Sequence, residues 1–296
     1  MPKIKNPDIK TKPHWLRKRL PSGPEYERVR TLIGNSGLLT VCQEAACPNQ
    51  FECFSSRTAT FLIMGSRCSR NCGFCNIEPG ISLPALDPGE PARVAEAVAQ
   101  MGLRYAVVTS VTRDDLPDGG AAHFANTIRE IRKRMAETRV EVLIPDFQGD
   151  SAALQTVLAE RPDVLNHNVE TVPRLYAQVR PQADYGRSLA LLDSVSRHRS
   201  RIPVKSGLML GLGETLEEVH RTMEDLFQSG CRLITIGQYL QPSRKHLPVQ
   251  RFVTPEEFDE LTSLAFSIGF EEAASGPFVR SSYHAREMYC SRQSSE

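Results

Sequence analysis

The sequence predicts an α/β fold, an open six-unit (β/α)6 partial TIM barrel. Two observations carry this prediction: short apolar runs typical of buried strands alternate with helical patterns, and polar or glycine-rich loops follow the strands. A strand, a helix and a second strand form a right-handed unit with parallel strands, so repeated units predict a parallel sheet that curls into an incomplete barrel. Functional residues are then expected at the carboxyl ends of the strands.

The predicted elements follow in chain order. A short helix over 24–33 begins at Pro24 and ends before Gly34, since proline favours the first turn of a helix and glycine its end. Strands are predicted over 60–64, 104–109, 139–144, 163–166, 203–208 and 232–236. Helical segments are predicted over 91–101, 121–136, 151–160, 173–179 with 186–198, 214–229 and 255–267.

Composition excludes several classes of partner. With 296 residues, of which 40% are hydrophobic, the chain has enough apolar material for a substantial core. Its 36 basic and 35 acidic residues give a formal net charge of +1, so no field of the whole molecule favours nucleic acid or a membrane. The amino end lacks the apolar core of a secretory signal, which predicts a cytoplasmic protein.

We expect three regions along the chain. Residues 1–56 form an amino-terminal extension, 57–250 the barrel, and 251–296 a helix followed by a strap, with both extensions covering the mouth of the barrel. Residues 1–23 are rich in lysine, arginine and proline, which predicts an extended arm. This arm is either a solvated tail or a basic strap for an acidic partner surface.

Three cysteines follow the first predicted strand. Cys68, Cys72 and Cys75 are spaced by three and then two residues, with Phe74 just before the last. Three thiolates alone do not close a tetrahedral zinc site, whereas on an iron–sulfur cluster they leave one iron open for a ligand that is not protein. In a reducing compartment such cysteines are ligands rather than disulfides.

A second cysteine triplet lies upstream. Cys42, Cys47 and Cys53 are spaced by four and then five residues and lack a local fourth partner. A zinc or purely structural site and a second iron–sulfur cluster with a fourth ligand from elsewhere both remain open. Cys231, beside an apolar run, is expected to be a packed thiol, and Cys290 lies in a polar tail.

The pattern around Cys68 resembles that of the radical S-adenosylmethionine enzymes. The resemblance implies that Cys68, Cys72 and Cys75 hold a catalytic [4Fe-4S] cluster, whose open iron chelates S-adenosylmethionine and whose electron generates a deoxyadenosyl radical. The further residues implied to contact this cofactor are Phe74 beside the adenine, Asp118, Gly119 and Gly120 after the second strand, Asn168 and Glu170 after the fourth, and Gly207, Gly211 and Glu214 in the fifth-strand motif. For Asn168 and Glu170, a network that caps the loop is the alternative.

Several motifs in joint order narrow the resemblance to the lipoyl synthase family. They are the upstream triplet, the loops 113–120 and 166–171, and the terminal Arg-Ser-Ser-Tyr at 280–283. The resemblance implies that Cys42, Cys47 and Cys53 bind a second [4Fe-4S] cluster with Ser281 or Ser282. Adjacent residues of an extended chain point in opposite directions, so only one serine reaches iron, and we favour Ser282.

The same resemblance implies the reaction. Two sulfur atoms from the second cluster are inserted at C6 and C8 of an octanoyl chain on a lysine, with two molecules of S-adenosylmethionine used per lipoyl group. The implied partners are an octanoylated lipoyl carrier domain or H protein and an electron donor such as ferredoxin or flavodoxin. Insertion at saturated carbons needs cofactor chemistry, which agrees with the lack of an acid–base pair or nucleophilic triad.

Two other hypotheses for the function stay open at this point. One is another radical sulfur-inserting enzyme, similar to biotin synthase or to the methylthiotransferases. The other is a binding module without catalytic activity, in which zinc and the six clustered cysteines stabilise the fold.

Overall fold

The computed structural model describes residues 12–17, 23–45, 47–55 and 59–294. Most of the arm predicted over 1–23 lies outside the described residues. Within it, His14–Leu16 form one turn of 3-10 helix, and the side chain of Leu16 is buried.

The core is an eight-stranded sheet in the order β1-β2-β5-β6-β7-β8-β9-β10. β1 is antiparallel to β2, and every other neighbouring pair is parallel. The strands are β1 (Leu39–Thr40), β2 (Thr60–Ile63), β5 (Tyr105–Ser110), β6 (Arg139–Leu143), β7 (Val164–Asn166), β8 (Val204–Leu210), β9 (Leu233–Gln238) and β10 (Glu272–Gly276), while β3 (Arg67–Cys68) and β4 (Glu78–Pro79) form a small separate sheet. All six predicted strands are confirmed, and their neighbours in the sheet follow the order of the chain.

Helices α4 to α10 connect the parallel strands, as the sequence predicts, while α1 to α3 precede β2 and α11 follows β10. The helices of the described residues are α1 (Pro24–Asn35), α2 (Val41–Glu44), α3 (Gln50–Ser55), α4 (Glu90–Met101), α5 (Ala121–Arg134), α6 (Ser151–Ala159), α7 (Tyr176–Val179), α8 (Tyr185–Ser196), α9 (Leu216–Gln228), α10 (Pro255–Ile268) and α11 (Ala285–Ser294). Capping boxes start α9 at Thr215 and α10 at Thr254, where each threonine and a following glutamate satisfy the first backbone N–H groups. Across the described ranges, no helix combines the length and apolarity needed to cross a bilayer.

The two faces of the sheet are covered differently. Ala106 and Val108 of β5 belong to the main core with the connecting helices, whereas Tyr105 and Val107 pack with Met288 of α11 in a second apolar cluster. Successive residues of a strand point to opposite faces, so α11 covers the face away from the connecting helices.

The position of α11 differs from the prediction for the carboxyl-terminal extension. Its apolar partners include Tyr105, Val164 and Leu233, the first residues of β5, β7 and β9. The helix therefore lies at the amino ends of the strands, away from the edge where the mouth was expected. Cys290 lies within this helix and not in an irregular tail, because Met288 and Tyr289 anchor it.

The face of the sheet covered by α11 also carries a buried ion pair. The Lys205 Nζ atom lies 3.0 Å from Glu141 Oε1, and the Tyr105 hydroxyl donates to Glu141 Oε2 at 2.6 Å. Both charged side chains are almost fully buried, and the added hydrogen bond helps to offset the cost of their desolvation.

Candidate metal centres

The loop that carries Cys68, Cys72 and Cys75 begins after β2 and is fixed mainly through its backbone. The Gly73 N–H donates to the Val179 carbonyl at 2.9 Å, and the Leu247 N–H donates to the Gly73 carbonyl at 3.0 Å. The His246 Nε2 atom lies 3.0 Å from the Cys75 carbonyl oxygen. Phe74 packs against the main core. The three cysteines therefore lie together on a restrained loop at the carboxyl end of β2.

The thiols of this loop lie close enough to influence one another. Burial raises the pKa of Cys75 to about 12, and the thiolates of Cys72 and Cys68 add to this rise. Burial also raises the pKa of Cys72. Such thiols lose their protons when a metal cation takes the proton's place, as cluster ligands do.

Cys68 differs from the other two cysteines in its hydrogen bonds. Its Sγ atom accepts the backbone N–H of Arg70 at 3.4 Å and that of Thr112 at 3.3 Å. Thiolate ligands of iron–sulfur clusters commonly receive such bonds, so the donor set fits the predicted cluster. Among the described residues, no three His, Cys, Asp or Glu side chains form a group that could hold a single metal ion. A four-iron cluster does not require the thiolates to converge on one point, because each thiolate binds a separate iron.

The second triplet is assembled from α2, α3 and the turn between them. The thiols of Cys42 and Cys53 hydrogen-bond to each other, and the charge of Cys47 contributes to the raised pKa of Cys53. The Thr60 backbone donates to the Cys42 sulfur, and this bond lowers the pKa of Cys42 less than the bond with Cys53 does. The structure thus brings the three predicted cysteines together beside the amino end of β2.

Ser281 and Ser282 have different partners, as the sequence predicts, although they lie in a turn and not in the extended chain on which that prediction rested. The Thr60 Oγ1–H donates to Ser282 Oγ at 2.8 Å, so Ser282 and Cys42 share Thr60 as a neighbour. Ser281 Oγ instead accepts from Asn168 Nδ2 at 2.6 Å. These contacts favour Ser282 as the serine on the side of the second triplet.

Long-range contacts hold residues 278–283, here called the terminal segment, against α3 and the residue before it. The Asn49 Nδ2–H donates to the Phe278 carbonyl at 2.7 Å, and the Tyr283 hydroxyl donates to Glu52 Oε1 at 2.7 Å. A third contact joins the two cysteine regions, because Asn76 Nδ2 donates to the Glu44 carbonyl at 2.8 Å. The second candidate site therefore combines parts of the chain that lie far apart in sequence.

Asp118 and its neighbouring glycines shape the start of α5. The Asp118 carboxylate accepts the N–H groups of Gly120 at 2.9 Å and of Ala122 at 2.8 Å. Gly119 and Gly120 have φ angles of 59° and 88°, and a side chain at Gly120 would collide with the Met64 thioether. These contacts give the three residues a structural role, and their contact with a cofactor stays a prediction.

Glu214 holds the loop after β8. Its carboxylate accepts the N–H of Gly211 at 2.6 Å and that of Leu212 at 2.9 Å. Gly211 has a φ of 98°, and a side chain there would collide with Gln238. At Gly207 a Cβ atom would lie 2.8 Å from Asn168 Oδ1. The fifth-strand motif therefore places backbone close to its neighbours, while its contact with adenine stays a prediction.

Asn168 and Glu170 form part of a buried network after β7. Asn168 Nδ2 donates to Glu170 Oε1 at 3.1 Å, and Arg180 Nη1 donates to the Asn168 carbonyl at 2.8 Å. Burial raises the pKa of Glu170, although the charge of Arg180 opposes the rise. The buried Asn168 Oδ1 and Arg180 Nε atoms have no hydrogen-bond partner within the described part of the chain. A loop-capping network alone leaves these two atoms unsatisfied, which favours a polar ligand here.

Sequence reasoning missed two buried arginines near these sites, Arg70 and Arg180. Arg280 is partly buried, and the sequence left two roles open for it: pairing with a carboxylate near the second cluster, or packing of the terminal strap. Burial lowers the pKa of Arg280, and the charges of Cys47 and Glu170 oppose this. Arg280 therefore lies near residues of both candidate sites. The available signal for Arg70 was its position between two predicted ligands, Cys68 and Cys72.

Comparison with known proteins agrees with this geometry. The model of the radical SAM superfamily matches residues 62–226. HydG, a maturase of the [FeFe]-hydrogenase, is similar in structure with a TM-score of 0.54 and 15% identity, covering 90% of this chain and 75% of HydG. SuiB of Streptococcus suis, solved bound to S-adenosylmethionine, has a TM-score of 0.52 and 8% identity, covering 76% and 47% of the two chains. At such identities the likeness concerns the fold alone.

Sequence relatives are much closer. The chain is 59% identical to a lipoyl synthase of Desulfotalea psychrophila over 279 residues, which cover 94% of this chain and 93% of that protein. It is 53% identical to a lipoyl synthase of Alkaliphilus metalliredigens, covering 95% and 96% of the two chains. These matches show that the chain belongs to the lipoyl synthase family of the radical SAM superfamily.

Proposed function

We propose that this radical SAM enzyme inserts two sulfur atoms, at C6 and C8, into an octanoyl chain carried on a protein lysine. The observation that carries the proposal is the pair of thiol triplets. One lies on the loop after β2, the other beside the amino end of β2, and Asn76 and Glu44 connect the two regions. From Thr60 to Ile63 the strand extends roughly 10 Å, so two distinct centres fit within a short distance of each other.

The terminal segment supports a curved sheet, as in a partial barrel. β2 and β9 are five strand spacings apart in the sheet order, which is about 24 Å in a flat sheet. Ser282 contacts Thr60 of β2, while the Val279 carbonyl lies against Gly237 of β9. Three Cα steps span at most about 11 Å. One short segment reaches both strands most easily when the sheet curls around it.

The residues divide into two cofactor sites under this proposal. Cys68, Cys72 and Cys75 hold one [4Fe-4S] cluster, and Cys42, Cys47 and Cys53 with Ser282 hold the other. When bound, the first cluster and S-adenosylmethionine supply a radical that removes hydrogen from unactivated carbon, and the second supplies sulfur. The serine oxygen is a hard ligand for a soft centre, so Ser282 is suited to release iron. Ser281, turned to Asn168, keeps a structural contact.

The remaining residues position and shield the substrates. Asn168, Glu170 and Arg180 offer polar atoms for the ribose, and the loop held by Glu214 offers backbone for the adenine. Enclosure of the reacting chain keeps water away from a reactive radical. Precise placement of C6 and C8 supplies the rest of the protein's contribution.

The proposed partners follow from the same reaction. The octanoyl chain arrives on a lipoyl carrier domain or H protein, and ferredoxin or flavodoxin supplies electrons in the cytoplasm. We further propose that the basic arm over 1–23 meets an acidic face of the carrier. Removal of residues 1–20 is then expected to weaken carrier affinity, and an unchanged affinity would contradict this role.

Metal analysis separates the enzyme from a zinc-stabilised module. The chain purified without oxygen should be brown and contain iron and sulfide for about two four-iron clusters. A colourless protein that contains zinc would contradict the proposal.

A single-turnover assay then tests the reaction itself. The reconstituted chain is mixed with an octanoyl-lysyl peptide, S-adenosylmethionine and dithionite, and the mass of the peptide product is measured by mass spectrometry. The proposal predicts two added sulfur atoms at C6 and C8, and no addition when S-adenosylmethionine is left out. A product with a methylthio group, or one sulfur bridging two carbons, would indicate another sulfur-inserting enzyme.

A further inference from the structure

Arg70 lies between two proposed cluster ligands, and its guanidinium reaches away from them into the protein. The Nε atom donates to Asp114 Oδ2 at 2.6 Å, and the Nη2 atom donates to Asp114 Oδ1 at 3.0 Å and to Asp146 Oδ1 at 2.5 Å. The Arg70 side chain is 3% exposed and that of Asp146 is fully buried. Arg70 thus joins the cysteine loop to the loops after β5 and β6.

Opposite charges stabilise one another in this cluster, where Arg187 is a second cation, with its Nη1 atom 3.3 Å from Asp146 Oδ2. Burial opposes the positive charge of Arg70, but the hydrogen bonds and charges of Asp114 and Asp146 outweigh it and raise the pKa of Arg70. Burial likewise opposes ionisation of Asp146, yet Arg70 lowers the pKa of Asp146 to about 2. The arginine fork fixes the geometry of this cluster.

Ser69 strengthens the same junction without any charge. Its backbone N–H and its hydroxyl both donate to the Thr112 carbonyl, at 2.9 Å and 3.0 Å. The Asp114 N–H donates in turn to Ser69 Oγ at 3.0 Å. The segment from Thr112 to Asp114 is therefore held against the cysteine loop at several points.

This junction sets the position of the two donors at Cys68. One donor is the N–H of Arg70 itself, and the other is the N–H of Thr112, two residues before Asp114. A backbone N–H that points at a thiolate stabilises negative charge on sulfur. Because reduction adds negative charge to an iron–sulfur cluster, such bonds favour the reduced form and raise the reduction potential.

We propose that Arg70 is a positioning residue that sets the reduction potential of the cluster on Cys68, Cys72 and Cys75, by holding the Arg70 and Thr112 N–H groups on the Cys68 sulfur. The proposal rests on the assignment of that cluster under the proposed function. A lysine at position 70 keeps the charge but lacks the fork that spans Asp114 and Asp146.

The test is a redox titration of the reconstituted full-length chain with dithionite, which donates one electron per cluster. Electron paramagnetic resonance follows the signal that changes when S-adenosylmethionine is added. For Arg70→Lys we expect the ratio of reduced to oxidised cluster at a fixed potential to fall about tenfold, which is about 59 mV for one electron. Ser69→Ala, a change without charge, should lower the ratio in the same direction by less.

Arg139→Lys is the control. Arg139 also pairs with a carboxylate, Asp163 Oδ1 at 2.9 Å, but it lies at the amino end of β6, away from the cysteine loop and the segment from Thr112 to Asp114. The cluster of this variant should have the reduction potential of the parent chain. A cluster that is bound at full occupancy with an unchanged potential in both Arg70→Lys and Ser69→Ala would overturn the inference.

The other outcomes are also decisive. If Arg70→Lys loses one cluster's iron or does not fold, Ser69→Ala decides through its potential: a lowered potential supports the inference, and an unchanged potential overturns it. If the parent chain binds no cluster on the first triplet, the proposed function fails, which is distinct from a bound cluster whose potential does not respond.

Discussion

The two cysteine triplets of this chain are built in opposite ways. Cys68, Cys72 and Cys75 lie on one short loop that main-chain hydrogen bonds and a buried arginine attach to neighbouring loops. Cys42 and Cys53 lie on separate helices, and Ser282, the nearby serine, comes from the other end of the chain, 222 residues after Thr60. The first site is local, whereas the second exists only when distant segments meet.

This difference matches the different fates that we propose for the two clusters. A cofactor that is used repeatedly benefits from ligands whose geometry is fixed by rigid surroundings. A cluster that gives up its sulfur needs a site that can lose iron, and a single serine on a terminal segment provides a weak link. The comparison leads to two kinds of prediction. Loss of the first cluster should stop both 5′-deoxyadenosine formation and sulfur insertion, whereas loss of the second should stop only sulfur insertion.

The largest effect is expected from Cys72→Ala. Loss of one ligand from the first triplet should remove both 5′-deoxyadenosine formation and sulfur insertion, reducing each to background, because the first step precedes the second. Chromatography of the nucleoside and mass spectrometry of the peptide measure the two activities. Cys231→Ala is the control, since Cys231 is a buried thiol outside both triplets, and normal 5′-deoxyadenosine formation by Cys72→Ala would contradict the assignment.

The two serine variants should differ from each other. Ser282→Ala is expected to lower formation of the dithiolated product about 10- to 100-fold while 5′-deoxyadenosine is still formed, the range typical of a weakened metal site. Ser281→Ala, which removes only the contact with Asn168, should have a smaller effect on the second cluster. Iron analysis and product mass measure the difference, and the reverse order would move the assignment to Ser281.

We expect α11 to stabilise the second candidate site, which is assembled from distant segments of the chain. Tyr289 of α11 is nearly buried, with its ring 5.7 Å from that of Tyr105, and truncation to alanine should cost about 3 kcal/mol. Loss of this anchor is expected to reduce iron at the second triplet more than at the first. Thermal unfolding and iron analysis report the change, with Phe266→Ala as a control at a half-exposed position. Equal loss of iron from both sites would speak against the distinction.

The smallest effect concerns pH. His167 is buried, and this burial together with Arg180 lowers its pKa to about 4. A depressed histidine pKa contributes stability that is complete above about pH 6.5 and is lost as pH falls towards 4. Between pH 7 and pH 5 the chain should lose about 2 kcal/mol from this group, and His167→Gln should remove most of that dependence. Denaturant midpoints at both pH values measure the free energy of unfolding. A variant that loses as much stability between pH 7 and pH 5 as the parent chain would contradict this prediction.

The local parts of the molecule were predictable from sequence. The six parallel strands, their helices and the loop with Cys68 follow from periodicity and short-range spacing, which reflect neighbouring residues only. α11 was missed because its apolar residues, Met288 and Tyr289, have partners on strands far earlier in the chain. β10 was missed for a similar reason, since Glu-Ala-Ala-Ser-Gly has little strand propensity and pairs because β9 lies beside it.

The second candidate site was predictable from sequence only in part. Its cysteines stand out by type, but the link through Thr60, Ser282 and Asn49 depends on tertiary folding. Arg70 was missed because arginine is common on surfaces, and nothing local announces that Asp114 and Asp146 meet it. Family resemblance supplied the terminal serine, which spacing alone does not reveal.

One measurement tests the central claim that the two triplets do different work. The triple variant Cys42→Ala, Cys47→Ala and Cys53→Ala is reconstituted and assayed with S-adenosylmethionine, dithionite and an octanoyl-lysyl peptide. We predict that it still forms 5′-deoxyadenosine but adds no sulfur to the peptide. Transfer of sulfur at the level of the parent chain would contradict the account.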